Sequence, residues 1–206
     1  MGLFGLTVDT NSTMSIPSNV LGTNTGAGHI GLNKNGTGTL GLTGTGNNYL
    51  GQTRINAGTL IIGSNAALGA TQNTDIDRTV IAPGATLRIA STNYQSNEKF
   101  EIGGSGFSNQ GAIFTTSCVT CVLQGDIEIL SNTTINLENN GSLSLNGNIF
   151  SGSTLTKTGA GTLVFNAGAI NFVGTTVVNG GTIIVNGIQQ NSPVSLNGGT
   201  VGGSGT

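Results

Sequence analysis

Residues 155–187 read LTKTGAGTLVFNAGAINFVGTTVVNGGTIIVNG, and residues 32–61 read LNKNGTGTLGLTGTGNNYLGQTRINAGTLI. The two stretches align without a gap at an offset of 123 residues, and thirteen of thirty aligned positions are identical. The shared positions are Leu32, Lys34, Gly36, Gly38, Thr39, Leu40, Asn48, Gly51, Thr53, Asn56, Gly58, Thr59 and Ile61. Others keep their apolar character, as in Leu42/Phe165, Tyr49/Phe172 and Ile55/Val178. A block repeated in this way is the signature of one structural unit stacked on another.

A finer period runs inside the block. Leu143, Leu163 and Ile183 are twenty residues apart, as are Leu145, Phe165 and Val185, and Leu40, Leu60, Val80 and Phe100 keep the same step. The apolar residues come in alternating pairs, such as Leu40/Leu42 and Leu163/Phe165, which is the period of a strand with one buried face. A short strand that recurs every twenty residues or so describes a coil returning to the same place one turn higher. The pattern predicts an all-β, single-stranded parallel β-helix (a solenoid). Its turns are spaced about 4.8 Å apart, roughly ten in number, in a rod on the order of 45–50 Å long.

Composition agrees. The chain holds 36 Gly, 30 Thr and 25 Asn, with charged residues at 7% and no Trp. Thr favours strands, and Gly and Asn accept the turns between them. Asn-Gly pairs at 35–36, 140–141, 146–147, 179–180, 186–187 and 197–198 mark those turns. Almost no helix is expected. Six Lys and Arg, scattered through a chain of net charge −2, form no basic stripe, which argues against nucleic acid as a partner. No apolar run approaches the ~20 residues of a membrane helix. The opening residues lack the features of a signal peptide. Leu6 and Val8, then Met14 and Ile16, read as strand already in progress. Residues 1–206 thus read as one continuous rod, an internal segment of a larger protein, with repeat copies at 32–63 and 155–187 and a more polar, insert-like stretch at 71–112.

Cys118 and Cys121 form a lone CxxC; without a second pair of ligands or a βαβ context, it reads as a local disulfide or two free thiols. Gly36 to Gly41 matches G-x-G-x-x-G, but strand follows it, so the repeat explains its glycines better than a dinucleotide does. Residues 102–111, IGGSGFSNQG, approach a calcium-binding nonapeptide, with Ser108 where the Asp ligand belongs. Half of the chain's charges fall between 75 and 101: Asp75, Asp77, Arg78, Arg88, Glu98, Lys99 and Glu101. They are the first place to look for an interaction face. Asp75, Asp77, Glu98 and Glu101 are also the only carboxylates that successive turns could bring together for glycoside hydrolysis. That makes a polysaccharide-active or polysaccharide-binding β-helix the alternative reading. His29, the single histidine, reads as a surface or turn residue. No catalytic, metal or cofactor site is expected.

The elements K-x-G-x-G-T-L, aromatic-apolar-G-x-T and N-x-G-T-L at 155–187, with their partners at 32–63, resemble the autotransporter-associated β-strand repeat. SLNGGTVGGSGT at 195–206 is similar to the element that follows it, and GDIEILSNTTINLENNGSLSLNGNI at 125–149 resembles the connecting strands of the same regions. The resemblance implies a right-handed parallel β-helix in the passenger of a type V secreted bacterial surface protein. Such a passenger is extracellular, anchored in the outer membrane through a C-terminal translocator β-barrel outside this chain. It meets a host cell, a matrix or other bacterial cells, and acts as a structural and adhesive stalk rather than an enzyme. Closely spaced cysteines suit the family, which tends to avoid large disulfide loops.

Overall fold

A computed structural model describes residues 5–22, 31–70, 74–139, 141–150, 152–166, 172–188 and 192–205. The chain coils as a parallel β-solenoid of about eight turns, each about 22 residues long. Its strands stack in three ladders. The first holds β1 (Gly5–Asp9), β3 (Gly31–Asn35), β5 (Thr53–Ile55), β7 (Thr79–Ile81), β10 (Phe100–Gly104), the front of β13 (Ile127–Leu137) and β15 (Ile149–Phe150). The second holds β2 (Thr13–Ile16), β4 (Thr39–Leu42), β6 (Gly58–Ile62), β8 (Ala85–Ile89), β11 (Ile113–Thr115), the back of β13, β16 (Leu155–Thr158), β18 (Thr176–Val178) and β20 (Val194–Leu196). The third holds β9 (Gln95–Ser96), β12 (Cys121–Leu123), β14 (Ser142–Leu145), β17 (Thr162–Phe165), β19 (Thr182–Val185) and β21 (Thr200–Gly202). The first two ladders form one sheet because β13 is long enough to belong to both. Among the described residues the only helical turn is 3-10, at Phe107–Asn109.

The alternation read from the sequence sets which side chains point inward. In β5 and β7 the outer two residues are buried and the middle one half-exposed. The inward positions stack into apolar columns: Leu143 on Leu163 on Ile183, and Leu145 on Phe165 on Val185, at the predicted step of twenty. Leu40 stacks on Leu60 as predicted. The next member of that column is Leu87, not Val80, because 27 residues separate Leu60 from its partner. Val80 faces outward between Arg54 and Glu101, and Phe100 stacks inward on Thr79 in the first ladder. The same lengthening explains why the chain makes about eight turns rather than ten. Residues between strands are extruded at the corners, adding chain to a turn without adding height. In the first and last described turns, inward residues such as Leu6, Met14, Leu196 and Val201 are exposed, since each has a neighbouring turn on one side only.

The two repeat copies do not occupy the same ladders. Copy one lays its strands on the first and second ladders as β3, β4, β5 and β6. Copy two lays the matching strands on the second and third as β16, β17, β18 and β19. An offset of 123 residues is not a whole number of turns of about 22 residues. The intervening turns carry strands on all three ladders, so the phase of the block advances by one ladder. The corners themselves are conserved in geometry. Gly58 and Gly181, at equivalent repeat positions, have φ of 66° and 68°, a region few side chains tolerate. A Cβ on either would lie 2.3 Å from the carbonyl oxygen of Gly38 or Gly161 one turn below. Outside the corners, asparagine amides stack: Asn186 donates to Asn166, which donates to Asn146, at 2.9 and 3.1 Å.

Candidate functional site

The charged stretch divides between the outside and the inside of the rod. On the outer surface of the first ladder, Asp75 accepts a hydrogen bond from Lys99 Nζ at 2.7 Å and lies 3.7 Å from Arg78 Nη1. Arg78 Nε pairs with Glu101 Oε1 at 2.8 Å. Lys99 also reaches Glu128 Oε2 at 3.4 Å. The hydrogen bond and charge of Lys99 hold the exposed Asp75 carboxyl below its usual range, and that same hydrogen bond raises Lys99. Glu128 was missed by the sequence reading. The signal was present in FEI at 100–102 and IEI at 127–129, which the ladder places in register, Glu101 against Glu128.

The remaining charged residues lie elsewhere. Arg88 faces out from the second ladder, in register with Ile61 and Phe114, with its guanidinium carbon 5.7 Å from the Phe114 ring centre. Asp77 and Glu98 are inside, 5% and 0% exposed. Thr74 donates to Asp77 at 3.2 Å, and Thr79 donates to Glu98 at 2.7 Å. Burial pushes the Glu98 carboxyl well up, with the charge of Asp77 adding to the rise and the Thr79 hydrogen bond opposing it. The four carboxylates considered for glycoside hydrolysis are therefore split, two outward in ion pairs and two inward, and do not share one open face.

Two groups the sequence reading passed over are the most unusual in the rod. Lys34 and Lys157 occupy inward positions in otherwise apolar columns, Lys34 between Val8 and Ile55, Lys157 between Ile135 and Val178. Both are fully buried. Lys34 Nζ donates to the carbonyl oxygens of Asn35, Gly36 and Ala57 at 2.7, 2.7 and 3.1 Å. Lys157 Nζ donates to those of Thr158, Gly159 and Gly180 at 2.6, 2.8 and 3.2 Å. These acceptors are the same three positions of the repeat. An ammonium has three donors, and each cage supplies three acceptors, two from the corner that follows and one from the corner a turn above. Burial lowers the Lys157 ammonium to about 8. Lys34 is lowered by burial as well, against the raising influence of Asp9. The arrangement ties two successive turns together at one corner; it leaves no donor free to meet a ligand. The legible signal is the lysine that recurs at the same position of both copies, in the shared K-x-G-x-G followed by N-x-G.

Cys118 and Cys121 are joined by a disulfide, and both are buried. The glycine motif at 36–41 forms a lysine-caged corner running into β4, with no helix for a phosphate. In the 102–111 stretch, Ser108 and Asn109 adopt φ of 51° and 60° on an exposed turn. Among the described residues, no group of three or more His, Cys, Asp or Glu side chains is placed to hold a metal ion. No helix there is long and apolar enough to cross a membrane. His29 lies outside the described residues.

Comparison with known families finds the passenger-associated-transport-repeat at residues 32–62 and 155–185. The resemblance carried by the two blocks is thus shown at both places, and the matched residues are the lysine-caged turn pairs. Comparison with curated proteins and with solved structures finds no match.

Proposed function

We propose that this chain is a non-enzymatic structural and adhesive stalk segment of an autotransporter passenger. It is displayed outside a bacterium and carried, in the whole protein, by a translocator β-barrel in the outer membrane. The observation that supports this most directly is that both passenger-associated repeats fold as successive turns of one solenoid, closed by the same lysine cage. The function is mechanical. Each turn hydrogen-bonds to the next along the rod, the inward Leu, Ile, Val and Phe exclude water, and stability sums over neighbouring turns. Because each added turn buries apolar surface, stacking outside the cell also draws the emerging chain outward.

The test is surface display of a barrel-linked passenger carrying Leu163→Asp and Ile183→Asp. These residues stack in one buried column, where an unpaired carboxylate stops stacking. Display should fall severalfold, and unchanged display refutes the folding role. For adhesion, the outer network of Asp75, Arg78, Lys99, Glu101 and Glu128 is the face we assign to a host cell, a matrix or another bacterium. Cells displaying a rod with these charges neutralised should bind such surfaces less. Undiminished binding removes this face from consideration.

A further inference from the structure

Stacking alone does not require the polar cluster enclosed by the fourth and fifth turns, which carry β7 to β9 and β10 to β12. Glu98 is fully buried at the approach to β10. Its Oε1 accepts from Thr79, while Oε2 faces no hydrogen-bonding group among the described residues. Its backbone N–H donates to Ser96 Oγ at 3.1 Å. Thr79 stacks on Thr53, whose hydroxyl shares a 2.7 Å hydrogen bond with the hydroxyl of buried Tyr49. The titratable groups facing Glu98 come from three approaches: Asp77 ahead of β7, Tyr94 ahead of β9 and Tyr49 ahead of β5. None is a cation. Arg78 and Lys99, the sequence neighbours of Asp77 and Glu98, are on the outer surface in ion pairs.

A carboxylate in this place would give up its hydration for a single hydroxyl donor, beside a second acid. A neutral carboxylic acid loses far less on the same transfer. We propose that the rod carries Glu98 as the neutral acid, and that ionising it loosens the fourth and fifth turns, making this stretch an acid-tightened segment. The sign follows from proton binding. In the unfolded chain a glutamate releases its proton near pH ~4.3. The folded rod holds that proton to higher pH, so the stability it confers is complete below the unfolded value and is lost as pH rises through the folded one.

The experiment is amide exchange on the 206-residue chain, corrected for the intrinsic pH dependence, read on residues 74–81 and 94–101 at about pH 6 and about pH 8.5. Protection should drop about tenfold or more across that interval. In Glu98→Gln it should stay level, and in Glu101→Gln, which alters the outer network, the drop should persist. A drop retained in Glu98→Gln, or none in the unaltered chain, overturns the proposal. Should Glu98→Gln fail to fold, the carboxyl carbon-13 shift of Glu98 in the unaltered chain decides. An acid-type shift at about pH 6 supports the proposal, and a carboxylate shift there refutes it.

Discussion

Replacing Lys157 with methionine isolates the contribution of the lysine cage. Methionine keeps an unbranched apolar stem in the column between Ile135 and Val178, so packing is largely preserved. What is lost is the donor set: the carbonyl oxygens of Thr158, Gly159 and Gly180 lose partners at 2.6, 2.8 and 3.2 Å. An unpaired buried acceptor costs roughly 1–3 kcal/mol, and the low end applies to a corner partly open to water, giving about 3 kcal/mol for three. Removing an ammonium that burial already penalises returns part of that. A net loss of about 2 kcal/mol is expected. At this chain length that lowers the melting temperature by about 4–8 °C. Urea unfolding followed by circular dichroism gives the overall figure. Amide exchange over residues 155–185 should place the loss at the two turns sharing the cage. An unchanged or raised midpoint would mean that apolar packing of the column outweighs the cage, and would refute its role as a tie between turns.

Other outcomes follow from the same geometry. Burial lowers the Lys157 ammonium to about 8, whereas an unfolded lysine holds its proton to pH ~10.4, so between those values the rod binds fewer protons than the unfolded chain. Through that window its stability should rise with pH relative to Lys157→Met, as read by urea midpoints at several pH values. Gly58→Ala and Gly181→Ala force a Cβ to within 2.3 Å of a carbonyl oxygen at positive φ and should each destabilise by more than about 2 kcal/mol. Gly63→Ala meets nothing within 4 Å and serves as the matched control. Reducing the Cys118–Cys121 bridge opens a loop spanning a sequence separation of three, so the loss should not exceed about 2 kcal/mol in a paired urea titration with and without reductant.

Much of the fold was legible because it rests on short-range periodicity. Alternation in Leu163/Phe165 and Ile183/Val185 sets which side is buried, and a recurrence of twenty residues sets which residues stack. The reading failed where a corner takes in extra chain. Val80 and Phe100 fit the period in sequence, yet the residues extruded between Leu60 and Leu87 move them to another ladder. Corner length leaves little trace in composition, since a bulge and a strand here share Gly, Thr and Asn.

The sequence by itself determined that the chain coils, which residues form its apolar columns where the step of twenty holds, and which family its two blocks resemble, because each follows from spacing along one strand or between copies. Only the tertiary structure decided the rest. It placed Asp77 and Glu98 inside while Asp75 and Glu101 stand outside, added Glu128 to the outer network, and advanced the second repeat by one ladder. It also showed that Lys34 and Lys157 point inward to tie corners together rather than outward as ordinary surface charges. The physical reason is common to all of these. In a solenoid a side chain's surroundings are set by the turns above and below it, and which residues those are depends on the summed lengths of every corner between.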